Sequence, residues 1–368
     1  MTSEPVRVTL VAQASPARGG IPSFVETLLT EPSLSDGFEL DLVNTTRAAE
    51  REAGRFTANN SVHALQDAQR VFRASRKADI VHVQTSRLPV PPLLRAIALC
   101  RAAKLGGARV ICHVHSGRLN SGRPDAFVPS RAYRLLLHLL ARVVDRVIVV
   151  ADPGKRMLET EVPGISVRTM HNAVDTAAFD LADPGQDPPQ LAYVGTLSNR
   201  KGLADLIEAL ELIPGFGRVV VAGGSHEVGE TEAAGLRARA RTSTHDVQLV
   251  GSLSSSEVKD LLAASQVFVL PSHWEGQPIA ILEAMATGLP VVVTEVGANP
   301  DVVRDGVDGY VVPPHDPTAL ARALTEILGD AELRRKMGSS ARQRAVEAYD
   351  VSVLAANIRE EYLALVDR

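Results

Sequence analysis

Two glutamates with seven residues between them, Glu275 and Glu283, stand in the run His273-Trp274-Glu275-Gly276-Gln277-Pro278-Ile279-Ala280-Ile281-Leu282-Glu283-Ala284-Met285-Ala286. Phe268-Val269-Leu270 before it reads as the end of a buried strand. Pro278 fits the first position of a helix, where its missing N–H costs nothing. The helix is expected to run through Ala286 and to stop near Gly288-Leu289-Pro290. Its N-terminal amides and dipole attract an anion such as phosphate, and Gly276 lets the backbone approach a ligand closely. Glu283 lies about 7.5 Å along the helix at 1.5 Å per residue, and helical side chains tilt back toward the N-terminus. Two acceptor-only carboxylates beside an anion site suit hydroxyl groups on either side of a phosphate. The pattern therefore points to a ligand both sugar-like and phosphorylated. The plainer reading is one acidic cap and one surface glutamate, and the glycine, the proline and the preceding strand outweigh it.

Further residues could join this chemistry. Tyr193-Val194-Gly195-Thr196-Leu197-Ser198-Asn199-Arg200-Lys201-Gly202 takes a strand end into a polar turn with adjacent cations. Arg200 as a fork and Lys201 as a point charge can neutralise a diphosphate; alone, the pair would read as a solvated turn. Gly19-Gly20 follow the first strand, where backbone amides can face an anion. They do not match the dinucleotide spacing G-x-G-x-x-G, which argues against a nicotinamide cofactor. His113 and His115 end a strand and face the same way; ligands bind at such ends, although a satisfied core histidine is the commoner case. Neither a metal-ligand spacing such as H-E-x-x-H, nor an Asp-x-Asp pair, nor a G-x-S-x-G elbow is seen, so no metal site is expected.

The elements that must position these residues alternate. Strand-like runs at Arg7–Ala12, Glu39–Asn44, Asp79–Gln84, Arg109–His115, Arg146–Ala151 and Ser166–His171 are separated mostly by helical patterns. Asp180–Gln190, with three prolines and a glycine, breaks the pattern and reads as a linker. The alternation resumes at Leu191–Gly195, Arg218–Ala222, Val247–Val250, Val267–Leu270, Pro290–Thr294 and Tyr310–Val312, and the chain ends in helical sequence. This predicts an α/β protein of two doubly wound parallel-sheet domains, 1–182 and 183–350. A final helix over 351–368 could cross back to the first domain. Ligands of such sheets bind at the carboxyl ends of the strands, so a cleft between two facing sheets is the expected site.

Composition agrees with a soluble globular protein: 45% apolar and 22% charged over 368 residues. Cys100 and Cys112 are the only cysteines, which suits a reducing cytoplasm. The N-terminal run lacks the regions of a signal peptide, and no apolar run is long enough to span a bilayer. The net charge of −4 conceals an asymmetry: 23 Lys+Arg against 17 Asp+Glu up to Asp180, and 16 against 26 after it. A basic first half could meet an anionic acceptor or a membrane surface, or could reflect composition drift alone. Within it, Arg131, Arg134, His138 and Arg142 share one helical face. That helix reads either as a core helix with a solvated basic face, the favoured reading, or as an interfacial helix on anionic lipid.

Together these pieces resemble the retaining glycosyltransferases of family four, whose GT-B fold sets two Rossmann-like domains face to face. The resemblance runs along nearly the whole chain. It rests on Gly19-Gly20-Ile21-Pro22, His113-Val114-His115-Ser116-Gly117, His171-Asn172-Ala173-Val174-Asp175…Phe179, Gly195…Arg200-Lys201-Gly202, Glu275…Glu283 and the turn Asp305-Gly306-Val307-Asp308-Gly309-Tyr310, in that order. It implies that Glu275 contacts donor-sugar hydroxyls and Glu283 the ribose. Arg200 and Lys201 would hold the diphosphate beside Gly195, assisted by the amides around Gly276, Gln277, Pro278 and Ile279 and by the turn at Gly19 and Gly20. His115 would lie near the transferred sugar or the acceptor. It further implies metal-independent transfer from a nucleotide-sugar donor, for which UDP is the commonest choice. The acceptor would be a glycan, a lipid-linked intermediate or a small metabolite. No separate cofactor and no nucleic-acid partner are expected. The location expected is cytoplasmic, and the basic first half leaves contact at the inner membrane surface open as an alternative. Arg118–Pro129 and Arg18 are candidate contributors to acceptor choice. Two departures stand out: Thr196 replaces an arginine common in the family, and Asn172-Ala173 replaces Asn-Gly. A sugar-nucleotide epimerase and a non-catalytic nucleotide-sugar binder are the rival readings.

Overall fold

The structure, a computed structural model, describes residues 4–15, 20–46, 58–85, 90–115, 130–215, 217–224 and 230–367. Gly19, Arg18 and the loop Arg118–Pro129 lie outside the described residues.

The described residues form twelve parallel strands in two sheets of six. The first sheet contains β1 (Val6–Ala12), β2 (Phe38–Asn44), β3 (Ile80–Thr85), β4 (Arg109–Val114), β5 (Arg146–Val149) and β6 (Val167–Thr169), in the order β2-β1-β3-β4-β5-β6. The second contains β7 (Gln190–Val194), β8 (Arg218–Ala222), β9 (Asp246–Gly251), β10 (Val267–Leu270), β11 (Val291–Thr294) and β12 (Gly309–Val312), in the order β12-β11-β10-β7-β8-β9. Each expected strand is present, with ends shifted by a few residues. The inner strands read as continuous apolar runs because helices cover both faces of a parallel sheet, whereas the edge strands β2 and β9 carry exposed polar residues. β10 and β11 are buried at every position.

The chain divides into two compact units, Met1–Asn172 with Val351–Arg368, and Ala173–Asp350. The first core gathers Val11, Val81 and Val83 with Leu93, Leu99, Val110, Leu137 and Val147. The helix Val351–Val366 belongs to this unit for specific reasons. The Tyr362 hydroxyl lies 2.8 Å from His82 Nδ1, and Glu361 takes Arg146 and Arg168 at 3.3 and 3.1 Å.

The division falls after Asn172, earlier than the Pro-rich stretch suggested. Asp180–Gln190 lies in the second unit and is not a free linker. Buried Arg334 donates to Pro184 O at 2.6 Å and also reaches Gln186 O, so the irregular stretch is tied to the helix Ala331–Ala348. Prolines and glycines here report only the absence of regular hydrogen bonding.

Candidate functional site

In each sheet the strand order reverses at one point, and the loops beyond the carboxyl ends there are free to hold a ligand. In the second unit that point lies between β7 and β10. The loop after β7 carries Gly195, Thr196, Arg200 and Lys201. The loop after β10 carries Ser272, His273, Trp274, Glu275, Gly276 and Gln277.

Arg200 and Lys201 lie on a short 3-10 turn, Asn199–Lys201, closed by Gly202. Gly202 has φ +70°, and a Cβ there would stand 1.9 Å from Pro271 O. Only glycine permits this approach of the β7 loop to the end of β10, and it places both cations against Glu275. Lys201 Nζ lies 2.6 Å from Glu275 Oε1, and Arg200 NH1 3.3 Å from Oε2. Ser272 Oγ donates to Oε1 at 2.7 Å. The guanidinium stacks over Trp274, 4.7 Å from its ring centre, where the ring's negative face favours the cation. Glu275 is buried, so the carboxylate is compensated by two cations and a hydroxyl.

The β10 loop is fixed from behind. Thr294 Oγ1 donates to Ser272 O, and Asn299 Nδ2 to Thr294 O. Ala298 N–H donates to Gly276 O at 2.8 Å. The helix begins at Ile279, with Pro278 as its cap residue, one position before the first helical place expected for it. Pro278 has ψ 122°, so the chain is still extended there.

Glu283 sits on this helix and is partly buried. Loss of solvation pushes its carboxyl up to about 7, opposed by the charge of Lys259. A carboxyl poised there holds its proton at mildly acid pH and accepts hydrogen bonds as an anion above it.

The first unit brings Gly20, His113 and His115 into one neighbourhood. Gly20 starts the helix Gly20–Thr30, and Phe24 on that helix packs edge-on against both imidazoles, at 5.0 and 4.8 Å. His115 follows β4; its N–H donates to Thr85 O, and its Nε2 lies 2.7 Å from Gln84 Oε1. His113 stacks on His115 at 4.2 Å and on His82 at 5.4 Å. Both His113 nitrogens are buried without a hydrogen-bond partner among the described residues. Burial lowers all three histidines: His82 to about 3, His115 to about 4, and His113 well below its ordinary value. A hydrogen bond to Asn172 partly opposes the shift at His115. His115 is therefore neutral at physiological pH, suited to a polar contact and unsuited to act as a cation.

Sequence reading missed Ser272, Trp274, Lys259 and Gln84. Trp274 is adjacent to Glu275, and its type was the available signal for a cation platform. The other three depend on tertiary placement. Local spacing likewise could not reveal that Asp205, His273 and His315 converge, because they come from three separate segments. On the basic helix Arg131–Ala141, Tyr133, Leu137 and Leu140 are buried while Arg131, Arg134 and His138 are exposed; Arg134 pairs with Glu161 at 2.7 Å. Among the described residues no helix is long and apolar enough to cross a membrane.

Two family models match the chain in succession. Glycosyltransferase Family 4 matches residues 7–178, and Glycosyl transferases group 1 matches residues 179–344. The chain belongs to the GT-B glycosyltransferases. Glycogen synthase of Mycobacterium tuberculosis is 28% identical over 298 residues, 79% of this chain and 70% of that protein. The UDP-Gal:alpha-D-GlcNAc-diphosphoundecaprenol alpha-1,3-galactosyltransferase of Escherichia coli is 26% identical over 312 residues, 79% of this chain and 76% of that protein. Among solved structures, sucrose-phosphate synthase of Thermosynechococcus elongatus superposes with a TM-score of 0.77 at 20% identity, covering 98% of this chain and 99% of that one. Anabaena HepE in complex with UDP and glucose gives 0.75 at 16% identity, covering 97% and 99%.

Proposed function

We propose that this GT-B glycosyltransferase is a retaining, metal-independent enzyme of family four that transfers a hexosyl group from a UDP-sugar to a hydroxyl acceptor. The observation that carries this reading is the cluster of Lys201, Arg200 and Glu275 at the end of β7 and β10, beside the start of the helix Ile279–Ala286. In the transfer the bond from the sugar C1 to the diphosphate oxygen breaks, a bond from C1 to the acceptor oxygen forms, and the acceptor hydroxyl's proton passes to the departing diphosphate or to water. Negative charge grows on the leaving diphosphate. Two cations and a helix N-terminus next to them would stabilise it.

Glu275 now neutralises Arg200 and Lys201. A bound diphosphate competes for the same cations and leaves the carboxylate to accept from sugar hydroxyls. Glu283, deeper on the helix, accepts from the ribose once ionised. Thr196 carries no charge, so Arg200 takes the part of the arginine that family members carry there. On the first unit, the likeness to family four offers neutral His115 as a polar contact for substrate and the helix start at Gly20 as an end that favours an anion. The donor type has support from the E. coli relative, whose name includes UDP-Gal, and from HepE, crystallised with UDP and glucose. Glycans, lipid-linked intermediates and small metabolites are the acceptor classes to test.

A panel of UDP- and GDP-sugars is screened by thermal shift, since a ligand of the native state raises the melting temperature. Nucleotide diphosphate release is then followed with and without acceptors, and the anomeric configuration of the product is read by NMR. A UDP-sugar is expected to stabilise the protein and to be turned over only with an acceptor, with configuration retained. A donor rearranged without acceptor, inversion at C1, or unchanged donor affinity and turnover in both Lys201→Ala and Glu283→Ala would each sink the assignment.

A further inference from the structure

Asp205, His273 and His315 meet beyond the carboxyl edge of the second sheet, and none of the roles given above uses them. Asp205 lies in the first turn of the helix Leu203–Leu210 after β7, His273 in the loop after β10, and His315 in the loop after β12. Asp205 Oδ2 is 2.9 Å from His273 Nε2. The two imidazoles have ring centres 3.6 Å apart. One ligating atom from each of the three residues lies within 4.8 Å of the other two.

We propose that these residues form a binding site for a divalent transition ion of the zinc type, held by two imidazole nitrogens and one carboxylate oxygen with water in the fourth position. The donor set selects the ion. Magnesium and calcium take oxygen ligands, whereas imidazoles joined by one carboxylate suit zinc and its neighbours. The spacing is compatible. Bonds of about 2.0–2.2 Å place the ligands of a tetrahedral zinc roughly 3.3 Å apart; Asp205 Oδ2 and His273 Nε2 are 2.9 Å apart, and all three ligating atoms lie within 4.8 Å of one another. Two imidazoles on one tetrahedral ion have ring centres about 5 Å apart, so the set closes when exposed His315 turns its ring away from the stack on His273.

The backbones that carry the ligands are already anchored. His273 N–H donates to Arg200 O at 2.7 Å. Asp205 is on a helix. Next to His315, Asp316 caps the helix Pro317–Gly329 by accepting from Ala319 N–H at 2.8 Å. His315 is exposed, which gives an ion a way in, while Asp205 and His273 are partly buried. An ion here ties two loops and a helix of one sheet edge together, and one of the loops continues directly into Trp274 and Glu275. The site is a clasp on the loop that carries Glu275, separate from the diphosphate cations. It stands independently of the donor reading, because the metal titration decides it whether or not a nucleotide sugar binds.

The full chain, stripped of metal with a chelator, is titrated with Co²⁺ and followed by visible absorption, then challenged with Zn²⁺ and separately with Mg²⁺. One Co²⁺ per chain is expected, with the intense bands of a four-coordinate site, displaced by Zn²⁺ and not by Mg²⁺. Zn²⁺ is also expected to raise the melting temperature. Asp205→Asn and His315→Asn should each weaken binding at least tenfold while preserving the thermal shift given by a nucleotide sugar. Asparagine is chosen at 315 because φ is +59° there and asparagine tolerates the left-handed region. The proposal is overturned if no stoichiometric uptake occurs below about 10 µM, if Mg²⁺ displaces Co²⁺, or if both variants bind as the parent does. In that last case the binding is adventitious and the three side chains form only an ion pair with a stacked neighbour.

Discussion

Lys201 Nζ lies 2.6 Å from Glu275 Oε1, and both side chains are largely withdrawn from water. Removing Lys201 leaves the buried carboxylate with Arg200 and Ser272 alone, whereas removing both charges of the pair together is milder. Lys201→Met is expected to destabilise the protein by on the order of 3 kcal/mol and to lower turnover about 100-fold or more through lost stabilisation of the leaving group. The double variant Lys201→Met/Glu275→Gln should recover much of the stability and none of the activity. Urea unfolding of the two single variants and the double variant, set beside nucleotide-release rates, checks this as a double-mutant cycle. Activity that recovers along with stability would make the pair purely structural.

Glu283 gives a pH signature. Its folded carboxyl is raised to about 7 from an ordinary 4.5, so the folded state holds the proton more tightly than the unfolded chain does. The stabilisation is complete below pH 4.5 and is lost as pH rises through 7. Glu283→Gln mimics the protonated form and removes that loss. The variant should match the parent in stability near pH 4.5 and exceed it above pH 8, by up to about 3 kcal/mol. Donor binding should run the other way. The ionised carboxylate is the better acceptor for ribose hydroxyls, so parent affinity should rise roughly tenfold from pH 6 to 8, and the glutamine variant should show no such rise. Calorimetric titration at the two pH values decides between them.

What the sequence disclosed follows from what local patterns encode. The inner strands were legible because a parallel sheet covered on both faces demands short continuous apolar runs, and Val291–Thr294 is one even without context; the edge strands β2 and β9 showed instead as alternating runs. Glu275, Gly276 and the helix through Ala286 were legible because the anion-binding grammar of strand, loop and helix start is contiguous. Two kinds of feature were hidden. The stack of His82, His113 and His115 depends on the register of β3 against β4, which pairs His82 with Ile111 and Gln84 with His113. No period within one strand reports that register. The role of Asp180–Gln190 was hidden because what holds it is Arg334, far along the chain. The closeness of Arg200 and Lys201 to Glu275 was also beyond reach, since it depends on the approach of Gly202 to Pro271.

His115 should be neutral throughout the working range. Burial lowers it to about 4, and His82 to about 3, from an ordinary 6.5. A depressed histidine favours folding above its unfolded value, so the first unit should lose stability as pH falls from 6.5 toward 4. The imidazole ¹⁵N shifts should show His115 as a neutral ring at pH 5.5, with Nε2 hydrogen-bonded to Gln84. The acid limb of the turnover profile, if one lies between pH 6 and 8, should then vanish in Glu283→Gln and persist in His115→Gln. A His115 that titrates between 6 and 7 would contradict the burial argument.

Arg334 is the last test, and it concerns what holds the second unit together. The side chain is 1% exposed. Its guanidinium donates to Pro184 O, Ile327 O and Leu328 O. Its nearest carboxylate, on exposed Asp187, is 3.9 Å away, so carbonyls rather than an ion pair satisfy it. A charge-assisted hydrogen bond contributes about 1.5–3 kcal/mol, and a buried carbonyl left unpaired costs about 1–3 kcal/mol more. Arg334→Met keeps most of the volume and removes every donor, so it should destabilise by on the order of 4 kcal/mol. Arg334→Lys keeps the charge but cannot span the four carbonyls of Pro184, Gln186, Ile327 and Leu328, and should lose about half as much. Because Arg334 contacts neither Glu275 nor Lys201 among its hydrogen-bond and ion-pair partners, both variants should retain parental donor affinity at temperatures where they remain folded. Chemical unfolding and calorimetric donor titration separate the two effects. A stability loss below about 1 kcal/mol in Arg334→Met would show that water replaces the guanidinium without cost.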